Sequence, residues 1–289
     1  MKKVIVLGAS GQLGKTIRSI TETDANNFVF ISKNDLDITD KNKLVSFFES
    51  TAFDYCINCA AYTNVEGAES NVEDAFLINA EGAKNVAEVC EKYQVKLIHI
   101  STDYVFDGKS EMPYTTIDQP HPINQYGKSK LLGEQYIQDH LKEHYIIRTS
   151  WLYSLFGKNF LKTIINKIEN DSVLNITTEE EGTPTSCVEL AQFILYIIKT
   201  DNIPYGIYNF SANGSATWYE FAKEIVINLS PEKKDNILST NTFKTVAKRP
   251  RYSVLNLKNT EKNYRELFTW QQSVAKIIEV YKNRYSSDL

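Results

Sequence analysis

The chain has 289 residues, of which 42% are apolar and 24% are charged, and 32 basic against 36 acidic side chains leave a net charge of −4. This length accommodates one large α/β domain, or a domain with a smaller annex, and the composition is that of a globular protein. The mild acidity and the lack of a dense basic stripe argue against nucleic-acid binding, and no apolar run approaches the ~20 residues that cross a bilayer.

Short apolar runs alternate with helical patterns along the first half of the chain. The predicted strands cover residues 4–7, 28–31, 55–58, 96–101 and 145–149. The predicted helices cover residues 12–20, 41–49, 72–92 (one long helix or a broken pair) and 128–140. Repeated βα units give a parallel sheet with helices on both faces, and nearly continuous apolar strands suit its buried interior. We therefore predict a Rossmann-type doubly wound parallel sheet, with the cofactor-binding domain in residues 1–150.

The pattern loosens after residue 150. Helices are predicted at residues 159–168, 188–198, 217–227 and 270–281, and one strand is predicted at residues 207–210. Aromatic residues and prolines cluster in the loops between these elements. We expect residues 151–289 to form mainly a smaller C-terminal α/β lobe that binds the substrate, interleaved with the last strands of the main sheet.

The four cysteines include one C-x-x-C pair, Cys56 and Cys59. The pair begins in a predicted strand, where residues three apart point to opposite faces. We therefore interpret both as buried small hydrophobic residues rather than as a redox or zinc motif. Reduced thiols are typical of the cytoplasm, where we expect this protein to reside.

Three glycines follow the first predicted strand and open the first predicted helix. The tight turn requires glycine, and so does a close approach of backbone N–H groups to a pyrophosphate, which the positive end of the helix favours. This placement, rather than the glycine triplet alone, predicts a dinucleotide site. The residues of this loop expected to bind the cofactor are Gly8, Ser10, Gly11, Gln12, Leu13 and Gly14.

The same segment ends in Gly14-Lys15-Thr16, as a phosphate-binding Walker A loop does. The first glycine of that motif would fall on Ala9, and no acidic residue stands at the end of a following strand to hold magnesium. Phosphoryl transfer is therefore the weaker interpretation of this loop.

The end of the second predicted strand bears on the choice of cofactor. It reads Ile31-Ser32-Lys33-Asn34, with no carboxylate at its tip to hold the ribose hydroxyls of NAD. Lys33 and Ser32 are placed to receive a 2′-phosphate, which favours NADPH. NADH stays open as the cofactor, because a lysine at position 33 is equally expected if its side chain only faces solvent.

A hydroxyl, a tyrosine and a lysine are spaced to surround a carbonyl group. Thr102 follows the fourth predicted strand, and Tyr126 and Lys130 are four residues apart, so they share a helix face that Lys128 does not. A free phenol has a pKa near ~10, and a nearby ammonium brings that pKa toward working pH. With Thr102 hydrogen-bonding a ketone and Tyr126 donating the proton, the set predicts hydride transfer from a nicotinamide.

The chain resembles the extended short-chain dehydrogenase/reductase family along nearly its whole length. The matching stretches are residues 8–14 (GASGQLG), 58–63 (NCAAYT), 101–108 (STDYVFDG), 126–134 (YGKSKLLGE), 148–151 (RTSW), 182–186 (GTPTS) and 248–250 (KRP). Their combination is specific, whereas any single stretch would not be. The resemblance implies reduction of the C4 ketone of a dTDP-4-keto-6-deoxy-L-hexose, a dTDP-sugar used for cell-envelope polysaccharide.

The resemblance also implies roles for individual residues. The catalytic residues would be Thr102, Tyr126 and Lys130. The residues expected at the cofactor, besides the glycine loop, are Lys33, Asp37, Ile38, Ala60, Ala61, Tyr62, Asn79, Tyr126 and Lys130. Those expected at the substrate are Thr102, Asp103, Tyr104, Trp151, Asn159 and Arg249. An indole suits the C–H face of a sugar, and a planar guanidinium suits a diphosphate; core packing and a surface salt bridge are the alternatives for Trp151 and Arg249.

Two positions depart from the pattern of the family. Relatives typically carry aspartate where this chain has Glu66, and lysine where it has Gly67. Some relatives also dimerise through a magnesium ion held by glutamates. We recognise no such cluster in this sequence, so we predict no metal and leave a monomer and a homodimer both open.

Two other functions stay open. A nucleotide-sugar dehydratase or epimerase shares this fold, but dehydratases usually place Asp-Glu after the threonine, whereas Thr102 is followed by Asp103 and Tyr104. A non-catalytic regulatory subunit is the second alternative, and the intact set of Thr102, Tyr126 and Lys130 argues against it.

Overall fold

A six-stranded parallel sheet forms the centre of the molecule. The computed structural model describes residues 1–22, 24, 26–242 and 244–285. The strands are β1 (Lys3–Leu7), β2 (Asn27–Ile31), β3 (Tyr55–Asn58), β4 (Lys96–Thr102), β5 (His144–Thr149), β6 (Leu152–Tyr153), β7 (Leu174–Thr177), β8 (Glu181–Gly182), β9 (Thr185–Ser186), β10 (Gly206–Asn209), β11 (Ala216–Thr217) and β12 (Ile237–Thr240). The main sheet has the order β10-β5-β4-β3-β1-β2, and all of its pairs are parallel. This confirms the predicted Rossmann-type fold.

Helices cover both faces of this sheet. They are α1 (Gln12–Ile20), α2 (Lys41–Ser50), α3 (Val65–Ser70), α4 (Val72–Phe76), α5 (Gly82–Tyr93), α6 (Gln125–His140), α7 (Phe160–Glu169), α8 (Cys187–Thr200), α9 (Trp218–Leu229), α10 (Lys258–Glu261) and α11 (Trp270–Tyr285). Because successive strand residues point to opposite faces, Val4 and Val6 pack with α1 and α8, whereas Ile5 and Leu7 pack with α2 and α5. Within the described ranges, none of these helices is long and apolar enough to cross a membrane.

A second apolar core lies among the C-terminal helices. Tyr153, Phe221 and Ile237 belong to this buried cluster, which is built largely from α7, α9 and α11. Strand β10 returns from this half of the chain to the main sheet, where it pairs with β5. The division of the chain at residue 150 stays a prediction, and residues 243 and 286–289 of the predicted C-terminal lobe lie outside the described residues.

The predicted elements of the first half are all present, with one rearrangement. The predicted helix at 72–92 is broken into α4, a π-helical turn at Leu77–Glu81 and α5. A π turn shifts the helical period, which an apolar repeat does not reveal. Helix α6 begins three residues before its predicted start, because Asn124 caps it: Asn124 Oδ1 accepts from Gly127 N at 2.7 Å.

Helix α6 approaches the end of β4 very closely. A Cβ at Gly127 would lie 2.1 Å from the carbonyl oxygen of Tyr104, so only glycine fits at this position. Ser129 Oγ donates to the Tyr126 carbonyl (2.8 Å) and accepts from Asn79 Nδ2 (2.9 Å). The first turn of α6 is therefore fixed against both the strand end and the π-helical turn.

The four cysteines all lie in the described part of the chain and are free thiols. Cys56 belongs to the core on one face of the sheet, and Cys59 packs against the core on the other face. Their side chains therefore point apart, which confirms their interpretation as small hydrophobic residues.

Asp201 ties three strands together at the amino-terminal edge of the sheet. It follows α8 with a left-handed backbone (φ +52°) and forms ion pairs with Lys2 and Lys96. It also accepts a hydrogen bond from the hydroxyl of Tyr55. Partial burial opposes ionisation of Asp201, but these hydrogen bonds outweigh it and hold the pKa of Asp201 well below its usual range.

We expect Asp201→Asn to lower the free energy of unfolding by about 2 kcal/mol at pH 7, because charge-assisted hydrogen bonds are lost while the shape is kept. Asparagine tolerates the left-handed backbone as aspartate does. Because the folded-state pKa is depressed, the stabilisation is present above the unfolded pKa of about 3.9 and is lost as the pH falls toward the folded-state value. Urea unfolding at pH values from 7 down to 2 measures this difference.

The control for this measurement is Asp139→Asn, which removes an exposed carboxylate. A difference between the wild type and Asp201→Asn that stayed constant over this pH range would contradict the role given to the ion pairs.

Candidate active site

The glycine loop joins β1 to α1 beside the end of β3. Gly8 has a φ of +74°, and a Cβ there would lie 2.5 Å from the backbone nitrogen of Ala60. Gly11 N donates to Gly8 O at 3.0 Å and closes the turn. Gly11 precedes α1 without a side chain to cap it, and the backbone N–H groups of the first helical turn lack intrahelical partners. The loop therefore fits the diphosphate of a dinucleotide.

The loop after β3 forms the second wall of this crevice, at the point where the strand order reverses. Ala60 N donates to Asn58 Oδ1 at 3.1 Å. Asn79 holds both backbone groups of Tyr62, accepting from its N–H (2.8 Å) and donating to its carbonyl (3.0 Å). Ala61 lines the central cavity, whereas Asn79 is buried and braces the loop from behind.

The segment after β2 lies away from the central cavity. Lys33 Nζ lies 3.7 Å from Asp37 Oδ2, and the lysine side chain is exposed. Asp37 Oδ1 accepts from both the N–H and the hydroxyl of Thr39, and Ile38 is buried in the apolar core. The structure does not bring these predicted cofactor residues to the cavity wall, and their contacts with the adenosine end of a cofactor stay predictions.

The three predicted catalytic residues meet at the carboxyl end of β4. Thr102 is the last residue of β4, Tyr126 is the second residue of α6, and Lys130 lies one turn further along α6. All three line a cavity of about 580 Å³, which also borders residues 11–14 of the glycine loop. The spacing in the sequence thus corresponds to one site in space.

Burial governs the ionisation of Tyr126 and Lys130. It raises the pKa of Tyr126 to about 12, against a smaller lowering by the Thr102 hydroxyl. It lowers the pKa of Lys130 to about 8, opposed by the charge of Glu134. The direction for Tyr126 is opposite to the predicted lowering by Lys130, because the desolvation of the phenolate outweighs the help that neighbouring groups give. A tyrosine that keeps its proton suits a proton donor.

A buried ion pair supports the site from below. Arg148 donates to Glu134 through Nη2 (2.7 Å to Oε2) and Nε (3.1 Å to Oε1). The hydroxyl of Ser101, the residue before Thr102, donates to the same carboxylate. Because both charged side chains are almost fully buried, loss of either partner would leave an unpaired charge in the core.

Asp103 carries a buried carboxylate that is only partly hydrogen-bonded. Its Oδ1 accepts from the Thr102 hydroxyl at 3.0 Å, whereas Oδ2 has no hydrogen-bond partner among the described residues. Asp103 is 2% exposed and lines the cavity. Burial raises its pKa to about 7, against a smaller lowering by the nearby hydroxyl groups of Ser253 and Thr102. The unpaired oxygen suits a hydroxyl group of a bound ligand.

Two indoles and an arginine form the outer wall of the cavity. Trp151 and Trp218 stack with ring centroids 3.7 Å apart and an interplanar angle of 8°. Trp151 has a φ of +44°, which is rare for a bulky residue. Arg249 also lines the cavity, and its Nη1 pairs with Glu66 Oε1 at 2.5 Å. The predicted sugar-facing ring and the predicted diphosphate-binding cation thus belong to the same cavity.

The remaining two predicted substrate residues differ in position. Tyr104 lines the cavity, and its ring meets that of Tyr126 edge-on with centroids 6.0 Å apart. Asn159 is not on the cavity wall; its Oδ1 caps α7, and its Nδ2 donates to the Ser154 carbonyl (2.8 Å) and to Gln12 Oε1 (3.3 Å). Asn159 therefore ties the glycine loop to the C-terminal half of the chain.

Other residues line the cavity without having been assigned from the sequence. They are Cys59, Thr63, Val65, Ile100, Ser101, Thr149, Ser150, Leu152, Gly157, Lys158 and Trp218. Trp218 could have been identified from the sequence, because it is one of only three tryptophans and lies at the start of a predicted helix. Most of the others lie at strand ends or in loops, whose course an apolar pattern does not specify.

The chain is similar to known proteins along nearly its whole length. The family model described as RmlD substrate binding domain matches residues 1–283. The dTDP-4-dehydrorhamnose reductase of Aggregatibacter actinomycetemcomitans is 32% identical over 96% of this chain and 98% of that protein. A dTDP-4-keto-6-deoxy-D-glucose reductase of Streptomyces niveus is 35% identical over 76% of both chains. The crystal structure of dTDP-4-dehydrorhamnose reductase from Bacillus anthracis in complex with NADP is 34% identical, covers 96% of this chain and 99% of that one, and has a TM-score of 0.92.

We expect the buried carboxyl group of Asp103 to lower the free energy of unfolding as the pH rises from about 4 to about 7. Its folded-state pKa of about 7 lies above the unfolded value of about 3.9. The folded protein therefore retains a proton that the unfolded chain has lost, and stability falls as the pH rises between these two values. Asparagine does not ionise, so Asp103→Asn should lack this pH dependence. From pH 5 to pH 8, the free energy of unfolding of the variant should therefore rise by about 2 kcal/mol relative to that of the wild type.

Urea unfolding of both proteins at pH 5 and pH 8 measures this gain, with Asp139→Asn as the control for loss of an exposed carboxylate. If the free energy of unfolding changed equally with pH in the wild type and in Asp103→Asn, the carboxyl group of Asp103 would have an ordinary pKa and the prediction would be wrong.

Proposed function

The chain belongs to the RmlD substrate binding domain family, and we propose that it reduces the C4 ketone of dTDP-4-dehydrorhamnose with NADPH to give dTDP-L-rhamnose. The observation that carries this proposal is the meeting of Thr102, Tyr126 and Lys130 on one cavity with the glycine loop. The reductases of this name among its relatives, one of them solved with NADP, support the substrate and the cofactor.

Each residue at the reacting centre has its own role in this proposal. When bound, the nicotinamide supplies the hydride. Thr102 hydrogen-bonds the ketone oxygen, and Tyr126 donates its phenolic proton to that oxygen as negative charge develops there. Lys130 stabilises the phenolate that Tyr126 becomes. Asp103 accepts a sugar hydroxyl with the carboxylate oxygen that has no partner among the described residues.

The residues on the cavity walls support the rest of the proposed ligand contacts. The glycine loop and Ala61 hold the cofactor, and Trp151 packs on the C–H face of the sugar. Arg249 pairs with Glu66 in the ligand-free protein and exchanges this carboxylate for the diphosphate of the sugar nucleotide. Asn79 and Asn159 support the loops of the site through their backbone contacts.

A second candidate substrate differs in stereochemistry. The relative from Streptomyces niveus is named for the D-gluco 4-ketone, and its identity to this chain is as high as that of the dTDP-4-dehydrorhamnose reductases. Both ketones carry the same nucleotide and require the same catalytic residues, so the two candidates differ only in the configuration of the sugar.

We expect the purified protein to oxidise NADPH in the presence of dTDP-4-keto-6-deoxy-D-glucose only when the 3,5-epimerase that makes the L-sugar is added. The measurement is nicotinamide absorbance, with NADPH and NADH in parallel reactions. Oxidation without the epimerase would favour the D-gluco substrate. No oxidation with either nicotinamide would contradict the proposed reduction and favour the non-catalytic interpretation.

We expect Tyr126→Phe to lower kcat by about 10²–10⁴-fold, because the proton donor is lost while the ring is kept. Tyr136→Phe is the matched control, since it makes the same change on the same helix away from the cavity. Steady-state kinetics and NADPH binding are measured for both variants. Unchanged turnover in Tyr126→Phe would show that another group donates the proton.

A further inference from the structure

A line of buried polar side chains runs beneath Lys130. His99 lies in the middle of β4, and its Nε2 is 3.2 Å from Lys130 Nζ. Its other ring nitrogen, Nδ1, is 3.2 Å from Asn58 Nδ2. Asn58, His99 and Lys130 are each about 1% exposed. Such contacts are strong in the core, and they restrict the positions of the protons because buried groups lack water as an alternative partner.

The backbone fixes the orientation of the Asn58 amide. Ala60 N donates to Asn58 Oδ1 at 3.1 Å, so the amide oxygen faces Ala60 and the NH₂ group faces His99. An NH₂ group only donates, and His99 Nδ1 must therefore accept. A neutral imidazole carries one proton, which then resides on Nε2.

This tautomer restricts the charge of Lys130. The N–H at His99 Nε2 points at Lys130 Nζ, and an ammonium group has no lone pair with which to accept it. A neutral amine accepts this hydrogen bond and still donates to the Ile100 carbonyl at 2.7 Å. The observed contacts are thus all satisfied together only when Lys130 is uncharged.

We propose that Asn58 fixes His99 as the tautomer protonated on Nε2, and that His99 in turn holds Lys130 as a neutral amine in the ligand-free protein. Asn58 and His99 are then positioning residues, which act on the reaction through Lys130 and touch neither the ketone nor the reacting carbon.

The charges around this line are consistent with a neutral Lys130. Glu134, on the next turn of α6, favours the ammonium, but it is paired with Arg148. Cys59 faces Lys130 from the loop after β3, and burial raises the pKa of its thiol so that it stays uncharged. His144 faces His99 from β5, and burial lowers the pKa of both imidazoles. Burial lowers the pKa of Lys130 itself to about 8, and the opposing N–H of His99 is the further contribution that makes the neutral amine the resting form.

The remaining ionisable groups lie towards the cavity. Asp103 and Tyr126 both line it, and burial raises the pKa of each, so both favour their neutral forms in the absence of ligand. The anionic ligands of the proposed reaction would add negative charge on this side and favour proton uptake by Lys130. The site thus changes its protonation state when it is filled.

The consequence for catalysis rests on the proposed function. Tyr126 gives its phenolic proton to the oxygen of the ketone, which is reduced to an alcohol as the nicotinamide is oxidised. Protonated Lys130 then passes one proton to the Tyr126 oxygen and returns to the neutral amine that His99 stabilises. Lys130 regains its proton from water, so each turnover consumes one hydride and one proton.

The tautomer is measured first, on ligand-free wild-type protein. Long-range ¹⁵N–¹H correlation spectra of ¹⁵N-histidine-labelled protein show which ring nitrogen carries the proton, and the chain has only four histidines. His99 is assigned by its absence from the His99→Phe spectrum. We expect the proton on Nε2. A proton on Nδ1, or on both nitrogens, would overturn the proposal.

The charge of Lys130 is measured next, from the pH titration of its ε-carbon in ¹³C-lysine-labelled protein, with Lys130→Met for assignment. We expect a midpoint clearly below those of the surface lysines. In His99→Phe the opposing N–H is absent and no charge is added, so the midpoint should rise by roughly one pH unit. If burial alone lowered the midpoint, His99→Phe would leave it unchanged or lower it further, and that result would overturn the proposal.

His144→Phe is the matched control, because it makes the same substitution in the neighbouring imidazole, which has no hydrogen bond to Lys130. The alkaline limb of the pH profile of kcat/KM should move with the Lys130 midpoint in His99→Phe and stay in place in His144→Phe. Movement of the limb in both variants, or in neither, would contradict a role that acts through Lys130.

The two NMR measurements need no substrate, so they separate this inference from the proposed function. A protonated Nε2 with a low Lys130 midpoint, in a protein that oxidises no NADPH, would leave the inference standing and refute the reaction. NADPH oxidation by a protein whose Lys130 is charged in the absence of ligand would support the reaction and refute the inference.

Discussion

The whole site depends on the close approach of α6 to the end of β4. Gly127 allows the helix backbone to touch the carbonyl oxygen of Tyr104, and every later turn of α6 follows from that contact. Tyr126 reaches the cavity beside Thr102, Lys130 reaches the strand backbone at Ile100, and the next turn places a carboxylate against a buried arginine. The buried face of this helix is therefore polar at three successive turns. At these turns the helix is stabilised by polar partners on the sheet as well as by the apolar packing of residues such as Ile137.

The parallel sheet gives this arrangement its direction. The loops after β1, β3, β4 and β5 all leave from the carboxyl edge, so the glycine loop, Thr102 and Trp151 border one cavity. The opposite edge has a different task. There Asp201 joins the starts of β1, β3 and β4 through Lys2, Tyr55 and Lys96. Ionisable groups lie at both edges, and at the carboxyl edge Asp103 keeps an oxygen that has no hydrogen-bond partner among the described residues.

The sequence predicted what depends on local pattern. Continuous apolar runs identified the buried strands, and the four-residue spacing of Tyr126 and Lys130 was enough to bring both to one cavity. Asn159 shows one limit, since an asparagine looks the same whether it caps a helix or binds a ligand. His99 shows another, because a histidine within a strand has no motif, and its partners come from separate elements. The pKa of Tyr126 could not be predicted either, since desolvation sums over the whole fold and outweighs any single neighbour.

Trp151 has a consequence for how this protein can change over generations. Its left-handed backbone costs of order 1–3 kcal/mol for a residue with a side chain, and the stack on Trp218 offsets part of that cost. Glycine at this position would relax the backbone but remove the ring from the cavity wall. Glycine would therefore be the more stable residue at this position, whereas tryptophan is the residue that completes the cavity wall. Selection for thermal stability therefore cannot remove the strain at residue 151 without losing the ring from the cavity wall. A more heat-stable relative would have to gain its stability at other positions.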